Sequence, residues 1–309
     1  MKLSHAIETM LLKGVAGSLS GLSWPAARER GAALGSLVGA LGIRRDVARA
    51  NLALAFPEQP IAWRERVLGK HYKELGRVAA EYPRMAALAR APREEVFARW
   101  DGEEHVRAAL AMGRGLIFLT GHVSNFELAA AAVSRVFPMA VVAKPMSNPG
   151  AESWVRALRL ESGLDLLPTG LGLRGAIRRL RAGGALAMLA DQAARRDGVF
   201  VPFFGRPAST AAGPAWLSLA TGAPIVFCYS VRAPDGRFEL TFDAPLVPVG
   251  EAADPGAVRA LTARHAALLE AVVRERPQDW FWLHKRWKTS PPSAPTFEPS
   301  APATPREGG

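Results

Sequence analysis

The sequence predicts an α/β fold, a mostly parallel central sheet flanked by helices and preceded by a helical N-terminal region. Three observations carry this. From Gly115 onward, short continuous apolar runs alternate with helical stretches, the pattern of strands covered on both faces. Before about residue 95, apolar residues recur only at helical spacing. A hydrophobic fraction of 49% with 22% charged residues over 309 residues suffices for a substantial core and excludes wholesale disorder.

Taken in order, residues 1–45 are weakly apolar and repeatedly broken by charge, glycine and proline. They lack the roughly 18–20 continuous apolar residues of a spanning helix and show no signal-peptide cleavage site. The segment is expected to lie on a bilayer rather than cross it. In "ERVLGKHYKELGRVAAEYPRMAALA" the residues Val67, Leu68, Tyr72, Leu75, Val78 and Ala79 share one helical stripe. Then follow strand "LIFLTG", helix "ELAAAAVSRVF", strand "MAVVAKP", helix "AESWVRALRLESG", strand "LDLLP", helix "LRGAIRRLRAGG" and strand "ALAMLADQ". The runs "GVFVPFFG", "APIVFCYSVR" and "GRFELTFDAPL" add strands, the last two with hairpin character around "APDG". Residues 255–276 form an amphipathic helix with Val258, Leu261, Leu268, Leu269 and Val272 on its apolar face. The expected division is a helical, membrane-associated region (1–95), an α/β domain (96–290) and a Pro-rich disordered tail (291–309).

Charge narrows the partners. With 39 Lys and Arg against 28 Asp and Glu, the formal net charge is +11. Such a surface attracts nucleic acid, anionic lipid or an acidic carrier protein. Basic residues are spread along the chain without a zinc-finger spacing or a short basic block, so membrane ranks above nucleic acid. The single cysteine, Cys228, lies inside "PIVFCYSV" and reads as a thiol on a buried strand rather than a nucleophile.

In open α/β sheets, ligands gather outside the carboxyl ends of strands. A strand over 116–120 therefore puts His122 where a reactive group belongs. Glu127, about 1.4 helical turns further on, is within reach of a histidine in the preceding loop, giving a base held by a carboxylate. Ser124-Asn125-Phe126-Glu127 equally satisfies the Ser-x-x-Glu capping box, which gives Glu127 a purely local task. Spacing alone supports both. With no His-Glu-x-x-His and no second nearby histidine, no metal is expected.

"TGHVSNFELA" resembles the His-x4-Glu motif of the lipid A biosynthesis (late) acyltransferases, relatives of the glycerolipid acyltransferases, with His122, Asn125 and Glu127 in the matching places. Four further blocks are similar to that family: "RDVARANLALAFPE", "VAKPMSNP", "MLADQAARRDGVFVPFFGRPAST" and "PQDWFWLHKRWKT". Order and spacing agree from about residue 44 to 289. The resemblance implies a glycerolipid acyltransferase-like fold with N-terminal helices at the cytoplasmic face of the bacterial inner membrane, peripheral or monotopic. It also implies transfer of a fatty acyl group from acyl carrier protein, or occasionally acyl-CoA, to a hydroxyl of a lipid A precursor in lipopolysaccharide biosynthesis. His122 would be the general base and Glu127 would orient it and stabilise its cation. Asn125, Lys144, Arg159, Asp191 and Gln192 would bind substrate, with Arg159 pairing a phosphate or Asp191. Beyond the acyl co-substrate no cofactor is implied, and the partners are the carrier protein, anionic inner-membrane lipids and the glycolipid acceptor, not nucleic acid.

Three departures bear on the substrate: Lys144 where the family often has arginine, Ala193 where aspartate is common, and Ala211-Ala212 where many members have threonines. The alternatives are an acyltransferase for another membrane lipid, such as a phosphatidylinositol mannoside or a lysophospholipid, and a catalytically silent docking homologue. A hydrolase has little support without a Gly-x-Ser-x-Gly elbow. The aromatic residues Phe200, Phe203, Phe204, Trp280, Phe281 and Trp282 line an acyl channel or pack the core, and "LHKRWK" suits an anionic membrane interface.

Overall fold

The computed structural model describes residues 3–143, 145–168, 172–194 and 198–291. The chain opens with helices α1 (Leu3–Ser20), α2 (Trp24–Ala40), α3 (Arg45–Ala55), α4 (Ile61–Glu81), α5 (Met85–Arg90) and α6 (Arg93–Val96). An alternating section follows: β1 (Phe97–Asp101), α7 (Glu103–Ala111), β2 (Leu116–Thr120), α8 (Phe126–Val136), β3 (Met139–Ala143), α9 (Pro149–Glu161), β4 (Asp165–Pro168), α10 (Gly172–Arg181) and β5 (Ala185–Leu189). The last part holds β6 (Gly198–Phe203), β7 (Arg206–Ala211), α11 (Gly213–Thr221), β8 (Ile225–Arg232), β9 (Phe238–Phe242) and α12 (Pro255–Glu275). None of the described helices is long and apolar enough to cross a membrane.

Among the described residues, the main sheet has seven strands in the order β1-β9-β8-β2-β5-β3-β4. Pairing is parallel from β8 through β4, as the continuous apolar runs predict, and β9 turns back antiparallel to β8. Successive side chains of a strand point to opposite faces, so each run feeds two cores. In β2, Ile117 and Leu119 pack with Leu52, Leu68, Leu180 and Leu269 from α3, α4, α10 and α12. Leu116 and Phe118 pack on the other face with Met85, Val106 and Leu128 from α5, α7 and α8. All four β2 residues are at most 2% exposed, each contributing roughly 1.5–3 kcal/mol of burial.

The expected strand "GVFVPFFG" forms, but outside the main sheet. It pairs antiparallel with β7, and this hairpin packs on α12. The apolar seam is also shifted: Ala79 is exposed and Ala80 is buried, because α4 turns toward α2. Strand β1, "FARWD", has too few apolar residues for the pattern to reveal it; its Phe97 alone is buried. The described part of the expected tail ends at residue 291, so 292–309 lie outside the described residues.

Glycine spacing fixes the α2–α4 contact. Gly31, Gly35 and Gly39 of α2 line the side facing α4, and Gly76 answers them. A Cβ on Gly76 would sit 1.9 Å from the Gly31 carbonyl oxygen, and one on Gly35 would sit 2.0 Å from that of Tyr72. Backbones touch here, leaving no room for a methyl group. Gly76→Ala is expected to destabilise the protein by roughly 1–3 kcal/mol through overpacking. Gly69→Ala in the same helix, with nothing within 4 Å of the added carbon, should instead stabilise by about 0.5–1 kcal/mol. Thermal denaturation of the two variants measures the difference.

Candidate active site

Strands β2 and β5 are parallel neighbours with Thr120 opposite Leu189. The residues that follow each strand therefore emerge side by side, which brings His122 to Asp191. The Asp191 carboxylate accepts from His122 Nδ1 at 2.7 Å through Oδ1, and from the His122 backbone N–H at 2.8 Å through Oδ2. Trp280 Nε1 donates to Oδ2 at 2.9 Å. Gly121 makes the approach possible by its size: a Cβ there would lie 2.7 Å from Leu269 Cδ1 and 3.3 Å from Asp191 Oδ2.

Protonation follows from these contacts. Burial alone would raise the Asp191 carboxyl, but the His122 charge and the three hydrogen bonds outweigh it and hold it at about 2. Burial works against the His122 cation too, yet Asp191, helped by the charge of Glu127, raises its pKa above the ordinary value. An ionised carboxylate only accepts, so Nδ1 carries the proton in the neutral ring and Nε2 keeps a free lone pair. The Gln192 amide nitrogen lies 3.4 Å from Nε2, on an exposed side chain. Phe126 and Phe281 flank the imidazole, with ring centroids 4.9 and 6.1 Å away.

The expected orienting role of Glu127 is corrected. Its carboxylate is held by Arg159, with Nε 3.0 Å from Oε2 and 3.2 Å from Oε1 and a further contact from Nη2, and by the Tyr82 hydroxyl. Arg159 thus pairs with Glu127 rather than with Asp191, and Glu127 acts on His122 through its charge. Nor does the Ser-x-x-Glu box form. Asn125 is the N-cap of α8, its Oδ1 accepting from Leu128 N at 3.1 Å, and Ser124 sits one residue earlier in the left-handed region at φ +44°. Asn125 is 2% exposed and spent on the cap and on Glu81, so it does not face substrate. Lys144 lies outside the described residues.

The C-terminal block closes over the loop. Val123 pairs with Trp280 in an antiparallel bridge, Phe281 N donates to His122 O at 3.0 Å, and Ser124 N donates to Asp279 O at 2.7 Å. The aromatic residues divide accordingly: Phe203, Phe204, Trp280 and Trp282 are core, whereas Phe200 and Phe281 are half-buried. Of "LHKRWK", only the lysines are exposed. Arg286 is buried, donating to Ser209 O and Thr210 Oγ1 at 2.6 Å, and Trp287 packs at a tilt against Phe203, ring centroids 5.8 Å apart. Next to Phe126 lies a small apolar cavity of about 30 Å³, walled by Phe118, Ala129, Ala130, Val133, Met139 and Cys228. Burial pushes the Cys228 thiol up to about 12, so it is a wall and not a nucleophile.

Sequence reasoning named Trp280 only as a channel or core aromatic and missed its bond to Asp191, and it missed Tyr82, Glu74, Glu81 and Arg232. A signal existed for two of them: Glu74 and Glu81 continue the seven-residue spacing from buried Val67, which places carboxylates inside an apolar stripe.

Fold and geometry together define an α/β enzyme with a carboxylate-oriented histidine at the carboxyl end of a parallel sheet. The chain belongs to the bacterial lipid A biosynthesis acyltransferase family, which it matches over residues 2–289. It is 29% identical over 286 residues to the lipid A biosynthesis lauroyltransferase of Escherichia coli, covering 89% of each chain. It is 27% identical over 266 residues to the palmitoleoyltransferase of the same organism, covering 84% of this chain and 85% of that one. A phosphatidylinositol mannoside acyltransferase of Mycobacterium tuberculosis is 28% identical over 193 residues, 60% of this chain and 58% of its own.

Asp191→Asn keeps the shape but removes the charge that supports the imidazolium. Burial of His122 is then opposed only by more distant charges, so its pKa should fall, seen as an acid shift of the imidazole carbon-bound proton titration by nuclear magnetic resonance. For a reaction in which His122 is the base, only the neutral ring is active, and the acid limb of the rate profile should move to lower pH with a lower plateau.

Proposed function

We propose that this acyltransferase moves a fatty acyl group from an acyl carrier protein thioester to a hydroxyl of a lipid A precursor, with His122 as general base. The observation that carries the reading is the His122–Asp191 pair, which puts the proton of the neutral ring on Nδ1 and so leaves Nε2 with a lone pair, on a side chain that is 26% exposed at the strand ends. Nε2 takes the acceptor hydroxyl proton as the oxygen attacks the thioester carbonyl. The resulting oxyanion collapses, expels the thiolate and leaves the ester, and the imidazolium returns its proton to the sulfur. The Gln192 amide, beside Nε2, is placed to donate to that oxyanion. Asp191 orients the ring and offsets its cation, and the Glu127–Arg159 pair adds a weaker field. The thioester is already activated, so no acyl-enzyme is required. The acyl chain enters beside Phe126, where the small apolar cavity must widen to hold it.

Membrane docking has its own support. While the glycines of α2 face α4, Leu34, Leu37 and Leu41 face outward with 38%, 55% and 68% exposure, and Ile43 extends the ridge. Arg44 follows at once, bonded to the Leu283 carbonyl beside exposed Lys285. An apolar ridge edged with cations suits the anionic cytoplasmic face of the inner membrane. The surplus positive charge equally suits the acidic carrier protein.

His122→Ala is expected to lower transfer by about 10² to 10⁴, measured by mass spectrometry of products from defined carrier thioesters and a lipid A precursor. Wild-type enzyme that acylates a phosphatidylinositol mannoside or a lysophospholipid and spares the lipid A precursor would overturn the acceptor. Replacing Leu34, Leu37 and Leu41 together by Gln should cut co-sedimentation with vesicles containing phosphatidylglycerol, with the melting temperature preserved.

A further inference from the structure

Beneath the loop that carries His122 lies a buried charge cluster to which no chemical task has been assigned. Arg232, the last residue of β8, donates through Nε to Glu74 at 2.9 and 3.0 Å, and through Nη1 and Nη2 to Glu81 at 2.8 and 2.9 Å. Glu74, Glu81 and Arg232 are 5%, 0% and 8% exposed. The two glutamates stand about two turns apart on α4, so one guanidinium spans both. Each carboxylate then accepts from the loop: Glu74 Oε1 from Ser124 Oγ at 3.1 Å, and Glu81 Oε2 from Asn125 Nδ2 at 2.9 Å. Trp24 Nε1 of α2 also donates to Glu81, at 3.1 Å.

Two details set this apart from ordinary packing. Ser124 occupies the left-handed region, which a residue with a side chain adopts only when its surroundings enforce it. Asn125 cannot turn its amide around, because Oδ1 is committed to the α8 cap and Nδ2 must face Glu81. The two residues that follow Val123 are thereby fixed from below by side chains of α4 and β8. Asp279 fixes the backbone of Ser124 from above.

We propose that Glu74, Glu81 and Arg232 are positioning residues for acyl transfer: through Ser124 and Asn125 they fix the loop that aims His122 Nε2 at the acceptor hydroxyl. They touch no reacting atom. Removing a link lets the loop relax while Asp191 still holds the ring, so the loss falls on kcat rather than on binding of the acyl donor.

A hydrogen-bond swap tests this. Asn125→Asp keeps a good cap but sets two carboxylates against each other, and Glu81→Gln leaves one acceptor oxygen where two served Asn125, Trp24 and both terminal nitrogens of Arg232. In the Asn125→Asp, Glu81→Gln double variant the amide donates to the carboxylate in the reverse direction, and the negative charge lost at 81 is regained at 125, so the net charge is that of the wild type. Each single variant should lower kcat at least tenfold with the donor KM within about twofold, since displacement by roughly 1 Å costs up to about 10². The double variant should regain most of the loss. Ser124→Ala, the mildest change because it deletes one hydroxyl, should lower kcat several-fold with only a small fall in melting temperature. Normal kcat per folded molecule in Ser124→Ala, or a double variant no better than the worse single one, overturns the proposal.

The proposal rests on transfer by His122, and the two fail differently. Wild-type protein that transfers no acyl group overturns the function. Hydrogen exchange at Val123 and Ser124 tests the positioning without any substrate. It should quicken in Glu81→Gln and recover in the double variant, and wild-type protection in Glu81→Gln overturns the positioning.

Discussion

The parallel register of β2 against β5 is the constraint on which the site depends. With Thr120 level with Leu189, the chain leaves two adjacent strands at the same height, and the first polar groups beyond them, on His122 and Asp191, meet without either loop reaching for the other. Both strands are apolar on both faces, so their register is locked by two cores at once. The dyad inherits the rigidity of the sheet. Asp191 binds both the ring and the backbone of His122, which fixes the imidazole and its loop with one carboxylate.

Charge burial around this point is extensive and is matched almost group for group. Glu127 faces Arg159, and Glu74 and Glu81 share Arg232. Such groups add little net stability, because removing them from water costs about what their attraction returns. What they provide is direction: a carboxylate held by a guanidinium has a fixed oxygen left for a loop donor, as Ser124 and Asn125 show. Even so, burial outweighs Arg232 at Glu74 and pushes its carboxyl up to about 7, whereas at Asp191 the balance runs the other way. Besides burial, Glu74 has two carboxylates near it, Asp279 and Glu81, whose like charge raises it further, whereas the charge and hydrogen bonds around Asp191 all act to lower it.

The alternating α/β pattern and the position of His122 were legible because they depend on local periodicity. Strands of five continuous apolar residues and helices with one apolar stripe announce themselves, and the end of such a strand is where reactive groups collect. The partner of His122 was not legible from spacing. Glu127 was nearer in sequence and plausible as an orienting group, yet Asp191 is the one at hydrogen-bond distance, because sheet order, which no local window contains, makes β5 the neighbour of β2. The same holds for Trp280 and Arg232, which arrive from distant segments. The capping reading failed for a different reason: Asn125 competes with Ser124 for the cap and stands one residue closer to the helix.

A base, its carboxylate and an apolar slot are indifferent to which hydroxyl is presented. That indifference fits a chain whose relatives include lipid A and phosphatidylinositol mannoside acyltransferases. Acceptor choice must therefore come from groups that are free to meet a headgroup, and the buried cations are not among them. Arg159, Arg232 and Arg286 are committed to Glu127, to Glu74 and Glu81, and to Ser209 and Thr210. A phosphate drawn to the site would meet Gln192 at the rim and exposed cations such as Lys285 and Lys288, whose flexible stems carry point charges and impose little geometry. On the proposed docking, discrimination between lipid headgroups would rest on shape and on how Leu34, Leu37 and Leu41 set the height of the site above the bilayer, more than on bidentate recognition inside it.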